Sequence, residues 1–220
     1  MDFGLTSEQQ MLVDSIRAFV DAELKPYEEE VERTNKVRPE LIQQIHAAAI
    51  KNGFYAANMP EELGGGGLDH VALTLMEREL GRTSFALQYA VARPSNILRA
   101  CQGEQIERYL LPAIRGERVE CLGLTEPNAG SDLRSMQTRA EADGGDFVIN
   151  GTKHFISYAD VADFIVLFAA SGVEDTSKGA KKKITSFLVD KDTKGLDVRM
   201  GPHSVSHRGF HHCELVFNNC

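Results

Sequence analysis

The most constraining feature of this sequence is a change in hydrophobic period near residues 117–119. Before this point apolar residues recur every three or four positions, which is typical of amphipathic helices. After it, apolar runs such as residues 164–169 have the length of strands. An all-helical block followed by an all-β block predicts an α+β protein with a helical domain over residues 1–118 and a β domain over residues 119–220.

The helical block carries recognisable start and stop signals. Thr6 and Gln9 form a capping-box pattern, and the helix that they begin is expected to end before Pro26. Four consecutive glycines, residues 64–67, preclude regular structure, and we expect a flexible connector there. Further helices are predicted over residues 39–53, 69–81, 84–101 and 104–115.

The second block is predicted to fold as an antiparallel β-barrel or sandwich. Residues 147–151 read as a strand that enters a hairpin turn at Asn150-Gly151. The other strands are expected over residues 119–124, 164–169, 184–189, 196–200 and 213–217.

Composition excludes several classes of function. The formal net charge of −8 over 220 residues argues against a nucleic-acid-binding protein. Because no window of 18 apolar residues exists, no membrane-spanning segment is expected. The first residues have neither a basic region nor an Arg-rich presequence, which favours a cytoplasmic protein. Four widely spaced cysteines indicate neither a disulfide scaffold nor a zinc ribbon.

Residues 121–132 are the strongest candidate for a binding segment. An apolar run ends at Thr125, and a polar turn follows that contains Pro127, Asn128 and Gly130. Such a turn can direct backbone N–H groups and the hydroxyls of Thr125 and Ser131 into one concavity, which suits a phosphate or a heterocycle edge. An ordinary surface loop after a strand is the commoner outcome for such a cluster, and these residues alone favour it.

Four histidines near the end of the chain could suggest a metal site. They are His203, His207, His211 and His212, beside Cys213. The glycines and the proline among them disfavour a helix that would bring two imidazoles onto one face. We therefore expect loop histidines and no metal.

Several segments together resemble one known family. The sequence Thr125-Glu126-Pro127-x-Ala129-Gly130-Ser131-Asp132 is similar to a motif of the acyl-CoA dehydrogenases, which are flavoenzymes that desaturate acyl-CoA thioesters. Five more segments resemble the family in the family's order, so the resemblance covers the whole chain. They are Leu5-Thr6-x-Glu8-Gln9; Pro60-Glu61-x-x-Gly64-Gly65; the run of Gly103-x-Gln105, Tyr109-Leu110-x-Pro112 and Gly116-Glu117; Gly151-x-Lys153-x-x-Ile156-Ser157; and Arg208-Gly209 with Glu214-Leu215-x-Phe217-x-Asn219-Cys220.

The resemblance implies FAD as the cofactor and assigns roles to particular residues. Thr125 would hydrogen-bond the pyrimidine edge of the isoalloxazine, with Leu122 and Leu124 against the flavin. Gly130 and Ser131 would lie between the flavin pyrophosphate and the pantetheine arm of the substrate. The other side of the ring would be lined by Phe155, Ile156 and Ser157, with Ser157 near N5.

Two departures from the family pattern limit what the resemblance implies. Phe155 stands where the family usually has Trp, so packing at the flavin or access for an electron acceptor is expected to differ. The family continues beyond the position of Cys220 into a helical bundle that carries the catalytic glutamate. No glutamate of this chain matches that role, and Glu126 fits a structural turn. We therefore assign no catalytic residue and expect the isolated chain to be inactive.

The resemblance also implies partners. These are an acyl-CoA substrate, an electron-transfer flavoprotein or similar acceptor, and further subunits in a homo-oligomer or heteromer. Two other functions stay open: a non-catalytic subunit that completes a partner's active site, and a relative of the flavin monooxygenases or nitroalkane oxidases.

Overall fold

The computed structural model of the protein describes residues 4–91, 94–177 and 179–220. Its contacts form two compact units. The first unit contains the chain up to Arg118 together with the short segment Val205–Phe210, and the second contains Val119–Ser204 and His211–Cys220. Among the described residues, no helix is both long and apolar enough to span a bilayer.

The first unit is helical, as predicted. Its α-helices in the described part of the chain are α1 (Ser7–Phe19), α2 (Glu28–Thr34), α3 (Pro39–Lys51), α4 (His70–Leu80), α5 (Phe85–Val91) and α6 (Leu111–Ile114). Short π-helical turns, Val20–Leu24 and Ile106–Leu110, continue α1 and precede α6. Three 3₁₀ turns of this unit are Lys25–Tyr27, Glu61–Leu63 and Asn96–Ala100.

The capping box predicted at the start of α1 is present. The Gln9 backbone N–H donates to the Thr6 hydroxyl at 3.2 Å, and the Thr6 N–H donates to the Gln9 side-chain oxygen at 3.1 Å. Both bonds satisfy N–H groups that a helix start leaves without partners. The apolar stripe of α1 is buried, as the side chains of Val13, Ile16 and Phe19 show.

The helix predicted over residues 84–101 is interrupted. Helix α5 ends at Val91, and the backbone becomes helical again only in the 3₁₀ turn that starts at Asn96. Pro94 accounts for a break in this stretch, because proline lacks the N–H that an α-helix requires. Residues 92 and 93 lie outside the described residues.

The glycine run is a packed loop, so the expectation of a flexible connector is wrong. The backbone N–H of Gly65 donates to Pro60 O at 2.9 Å, that of Gly66 to Ala56 O at 3.1 Å, and that of Gly67 to Met59 O at 2.8 Å. A Cβ on Gly65 would stand 2.3 Å from Met59 O. At Gly65, glycine is therefore required by close backbone approach.

The second unit is a seven-stranded sheet, counted over the described residues. The strands are β1 (Glu120–Gly123), β2 (Arg139–Asp143), β3 (Asp146–Ser157), β4 (Phe164–Thr176), β5 (Gly179–Asp190), β6 (Leu196–Met200) and β7 (His212–Phe217). The strand order is β1-β4-β2-β3-β7-β6, with β5 along β4. Its core contains Ile149, Ile165, Leu167, Leu215 and Phe217, all at most 5% exposed.

The α+β fold class is confirmed, with one correction to the sheet. Strands β1 and β2 both run parallel to β4, so the sheet is mixed and not strictly antiparallel. The hairpin turn predicted at Asn150-Gly151 is also wrong, because β3 runs straight through both residues. The hairpin between β2 and β3 closes at Gly144-Gly145, where Asp143 pairs with Asp146.

Candidate functional site

The candidate binding segment lies where the strand that pairs with β4 changes from β1 to β2. Strand β1 pairs with β4 at residues 164–167, and β2 pairs with β4 at Ala170. Residues 124–138 connect the two strands and therefore leave the sheet between them. The loop is anchored at its far end, where the Ala170 N–H donates to Thr138 O at 2.8 Å.

The start of this loop is a tight, hydrogen-bonded turn. Glu126 and Ala129 exchange both backbone bonds, at 2.9 and 3.2 Å. Gly130 and Ser131 follow and are exposed. No heavy atom stands within 4 Å of the position that a Cβ on Gly130 would take, so the space beside this residue is open. The turn therefore presents Ser131 at an accessible edge.

A bulge in β3 creates the second part of the site. The pairing of β3 with β7 shifts register between Lys153 and Ile156. Phe155, inside the bulge, has a φ of +57°, which is uncommon for a residue with a side chain. Phe155 is 52% exposed. Bulges next to functional sites commonly redirect a side chain in this way.

The two parts of the site are joined by the backbone. The His154 N–H donates to Thr125 O at 2.8 Å. Phe155 therefore follows directly after a residue that is bonded to Thr125. The predicted residues of the turn and of β3 are thus brought together in one region of the second unit.

A buried ion pair lies beneath this junction. The Lys153 ammonium is 2.8 Å from Glu126 Oε1, and the two side chains are 0% and 3% exposed. Burial alone would raise the pKa of Glu126, but its bonds from Lys153, Thr138 and Gln137 outweigh burial and hold that pKa below the ordinary value. Burial lowers the pKa of Lys153, and Glu126 partly offsets this. Glu126 is therefore an ionised carboxylate, and both of its oxygens accept hydrogen bonds.

The predicted site residues differ in how accessible they are. Leu122 is 42% exposed, so its side chain can face a ligand, whereas Ile156 is 2% exposed and belongs to the hydrophobic core. Leu124, Thr125 and Ser157 are half-buried. In this chain Ile156 therefore faces the core and not the exposed side.

Two histidines flank the Phe155 ring. The His154 ring centroid lies 3.9 Å from that of Phe155, and the His212 centroid lies 5.9 Å away. His154 Nδ1 is 3.9 Å from Glu214 Oε1, and Glu214 Oε2 is 3.9 Å from Arg199 Nη1. The surroundings of the exposed ring are therefore polar as well as aromatic.

The histidines at the end of the chain have different neighbours. His211 Nδ1 lies 3.0 Å from Asp160 Oδ2, and His207 belongs to the helical unit. In the described ranges no group of three or more His, Cys, Asp or Glu side chains could hold a metal ion.

The importance of Lys153 was not predicted from the sequence. The available signals were a lysine in the strand segment between Ile149 and Phe155, and a glutamate in the turn motif. Neither residue indicates a partner by itself, since 27 positions separate them. Only the pairing of the loop with β3 brings the two charges together.

The chain matches two family models over nearly its entire length. Residues 6–117 match the model described as "Acyl-CoA dehydrogenase, N-terminal domain", and residues 121–220 match "Acyl-CoA dehydrogenase, middle domain".

Individual relatives agree with these models. The chain is 35% identical over 225 residues to the benzylmalonyl-CoA dehydrogenase of Aromatoleum aromaticum, covering 100% of this chain and 57% of that protein. A glutaryl-CoA dehydrogenase from Mycobacterium smegmatis, solved in complex with FADH2, superposes with a TM-score of 0.84 at 28% identity over 98% of this chain and 53% of that chain.

A further solved structure comes from a study of electron transfer. It concerns the electron transferring flavoprotein of Acidaminococcus fermentans, and its matching chain has a TM-score of 0.80 at 31% identity over 100% of this chain and 57% of that one. The chain thus spans about half the length of the relatives that it matches.

Proposed function

The chain belongs to the acyl-CoA dehydrogenase family, and from that premise we propose that it forms the flavin-edge and pantetheine-binding part of an FAD-dependent acyl-CoA dehydrogenase. The observation that carries this proposal is the junction of the Thr125 turn with the bulged part of β3 that presents Phe155. Bound FAD supplies the hydride acceptor for α,β-dehydrogenation of the thioester. The residues described here bind and orient the flavin.

The accessible chemistry of the region suits a flavin. A flavin ring has two apolar faces and a polar edge, and the site offers exposed apolar side chains, Leu122 and Phe155, beside the hydroxyls of Thr125 and Ser157. We propose that Thr125 hydrogen-bonds the pyrimidine edge of the flavin and that Leu122 and Leu124 lie against the ring. The segment Phe155-Ile156-Ser157 lines its other side, with Ile156 as its buried member.

We propose that Gly130 and Ser131 bind the pyrophosphate of the cofactor. The open space beside Gly130 allows a pyrophosphate to approach the backbone closely. The Ser131 hydroxyl lies next to it and can donate to a phosphate or to the pantetheine arm of the substrate.

Glu126 is not the base that removes the substrate's α-proton. A general base must reach the proton and hold a free lone pair for it. Glu126 is 3% exposed on its side chain, and its oxygens already accept bonds from Lys153, Gln137 and Thr138. No other glutamate of the chain resembles the family's catalytic glutamate, so we propose no catalytic base and expect no turnover of acyl-CoA by the chain alone.

The proposed partners follow from the relatives. An acyl-CoA substrate agrees with the names of the matched dehydrogenases, and an electron-transfer flavoprotein as acceptor agrees with the Acidaminococcus fermentans structure. As the family resemblance implies, we propose that the chain works with further subunits in a homo-oligomer or a heteromer.

Titration with FAD tests this proposal. Quenching of FAD fluorescence by the purified chain should show saturable binding at about one flavin per chain. Thr125→Val, which removes the hydroxyl but keeps the shape, should weaken binding about fivefold to tenfold, the effect of one lost hydrogen bond. Thr193→Val serves as the matched control, since Thr193 lies in the turn that precedes β6, and it should bind FAD as the unmodified chain does. Absence of saturable binding by the unmodified chain would refute the proposal.

A further inference from the structure

The ion pair between Lys153 and Glu126 is an unusual feature for this unit. Both side chains are buried, whereas the Arg139–Glu141 pair on β2 is 64% and 67% exposed. Removing two charges from water is costly, and well-packed apolar side chains of similar volume often stabilise a fold equally well. A buried pair at this place therefore calls for a reason other than stability.

The pair makes contacts on both sides of Thr125. Lys153 Nζ donates to Leu124 O at 3.0 Å as well as to Glu126. The next residue of β3, His154, donates its N–H to Thr125 O. Three consecutive residues of the turn are thus held by two consecutive residues of the strand.

Glu126 extends these connections to a third segment. Its Oε2 accepts from the Gln137 N–H at 2.6 Å, and its Oε1 accepts from the Thr138 N–H at 2.9 Å. These two residues directly precede β2. One carboxylate therefore connects both ends of the loop over residues 124–138 to β3.

The backbone of β3 is shaped for this arrangement. Gly151 has a φ of +150°, and a Cβ there would stand 2.5 Å from the Thr138 hydroxyl oxygen and 2.6 Å from Thr138 Cα. Glycine at this position lets β3 approach the segment that donates to Glu126, so that Lys153, two residues later, reaches the same carboxylate.

We propose that Lys153 and Glu126 are positioning residues, and that their ion pair sets the separation between the two flavin-facing segments, the Thr125 turn and residues 155–157. This inference rests on the proposed function. The pair does not touch the flavin. It acts through Leu124, Thr125 and His154, whose backbone positions it holds.

The residue types fit this role. A lysine is long enough to reach from β3 to the turn, and its ammonium carries three donors, of which two are used here. A carboxylate can accept several bonds at once, and Glu126 accepts three. Methionine at 153 would fill a similar volume without donating, and glutamine at 126 would keep the shape without the charge.

The test compares Lys153→Met, Glu126→Gln and the double variant. The double variant decides the test, because it removes both charges together and leaves no unpaired charge in the core. The control is the double variant Arg139→Met/Glu141→Gln, which removes a charge pair from the surface of the same unit.

The first measurement is hydrogen–deuterium exchange without flavin. The Lys153/Glu126 double variant should exchange about tenfold faster in peptides over residues 122–130, as expected when the hydrogen bonds that hold the turn are lost. Peptides over residues 164–170 in β4 should exchange at the rate of the unmodified chain. The surface control should match the unmodified chain in both regions.

The second measurement is flavin binding by the same variants. The Lys153/Glu126 double variant should bind FAD about tenfold more weakly, because the Thr125 hydroxyl is no longer held in place. At saturating FAD its visible absorption spectrum should differ from that of the unmodified chain, and the surface control should reproduce the unmodified spectrum. A purely structural role would also speed the local exchange, but it would leave the spectrum at saturating FAD unchanged.

The outcomes separate the two proposals. If the unmodified chain binds FAD and the double variant matches it in exchange, affinity and spectrum, the positioning role is refuted while the proposed function stands. If the unmodified chain binds no FAD, the proposed function fails, and with it the role of the pair in flavin binding. Should Lys153→Met alone fail to fold, Glu126→Gln and the double variant carry the test.

Discussion

At the residue scale, close backbone contact decides which residue can occupy position 151. Gly151 packs against Thr138 so tightly that even a methyl group would overlap with backbone and side-chain atoms. Gly145, in the hairpin between β2 and β3, has no heavy atom within 4 Å of the position of a Cβ. Close packing therefore requires glycine at position 151, whereas the space beside Gly145 would admit a side chain.

This contrast gives a prediction for stability. Gly151→Ala should lower the free energy of unfolding by about 1–3 kcal/mol, the usual cost of forcing extra volume into a packed site. Gly145→Ala should change it by less than about 0.5 kcal/mol. Urea unfolding followed by circular dichroism measures both. Equal effects for the two variants would contradict the contact at Thr138.

The four cysteines differ in burial, and this difference predicts how fast each reacts. Burial raises the pKa of Cys121 to about 12 and that of Cys213 to about 11. Since the thiolate is the reactive form, both should stay unmodified by iodoacetamide at pH 8 in the folded protein, while the half-buried Cys101 and Cys220 react first. Mass spectrometry after a time course measures this order. In urea all four should react, and rapid labelling of Cys121 in the folded state would contradict its burial.

At the element scale, α1 and α4 are joined by a partly buried charge cluster. Arg17 Nε lies 3.0 Å from Glu79 Oε2, and the Glu79 side chain is 3% exposed. Arg78 also reaches this carboxylate, at 2.9 Å. The hydrogen bond from Arg17, opposed by burial and aided by Arg78, lowers the pKa of Glu79.

The direction of this shift fixes a pH dependence. A carboxylate whose pKa is lower in the folded state stabilises the fold above its unfolded pKa, about 4.3 for glutamate, and this stabilisation is lost as the pH falls through the folded pKa. Glu79→Gln should therefore be less stable than the unmodified chain at pH 7, and the difference should shrink below about pH 4.3. Urea unfolding between pH 3 and pH 7 measures it, with the exposed Glu107→Gln as control. A difference that does not change with pH would contradict the prediction.

The elements that local signals determine were predicted well from the sequence. The capping box at Thr6 and Gln9 specifies the start of α1 without distant contacts. The Asn150-Gly151 turn was mispredicted because a glycine that serves close packing looks like a turn glycine in the sequence. The pairing of β1 and β2 with β4 is long-range, and local patterns contain no information about it. For the same reason the sequence indicates the turn and the β3 segment separately, but not the ion pair that joins them.

At the scale of the whole molecule, the chain does not divide at a single point. The segment Val205–Phe210 follows β6 but packs with the helical unit. The Phe210 ring lies 4.8 Å from that of Phe85, and the Gly209 N–H donates to Asn35 Oδ1 at 2.8 Å. The division into domains 1–118 and 119–220 remains a proposal, and this segment would be separated from its contacts if the chain were cut there.

The packing of this segment predicts an effect on the helical unit. Phe210→Ala should lower its free energy of unfolding by about 3 kcal/mol, since a large buried side chain would be lost. Val205→Ala, at a position that is 97% exposed, should have almost no effect. The helical signal at 222 nm during urea unfolding reports on this unit. An unchanged midpoint for Phe210→Ala would contradict the assignment of the segment.

The central claim is that the Thr125 turn and the bulge of β3 together hold the flavin. The most direct test is a crystal structure of the chain grown with FAD. We predict the isoalloxazine ring between residues 122–131 and 155–157, with Thr125 Oγ1 within hydrogen-bond distance of its pyrimidine edge. A flavin bound on another surface of the chain, or a ring that leaves Thr125 without contact, would contradict the claim.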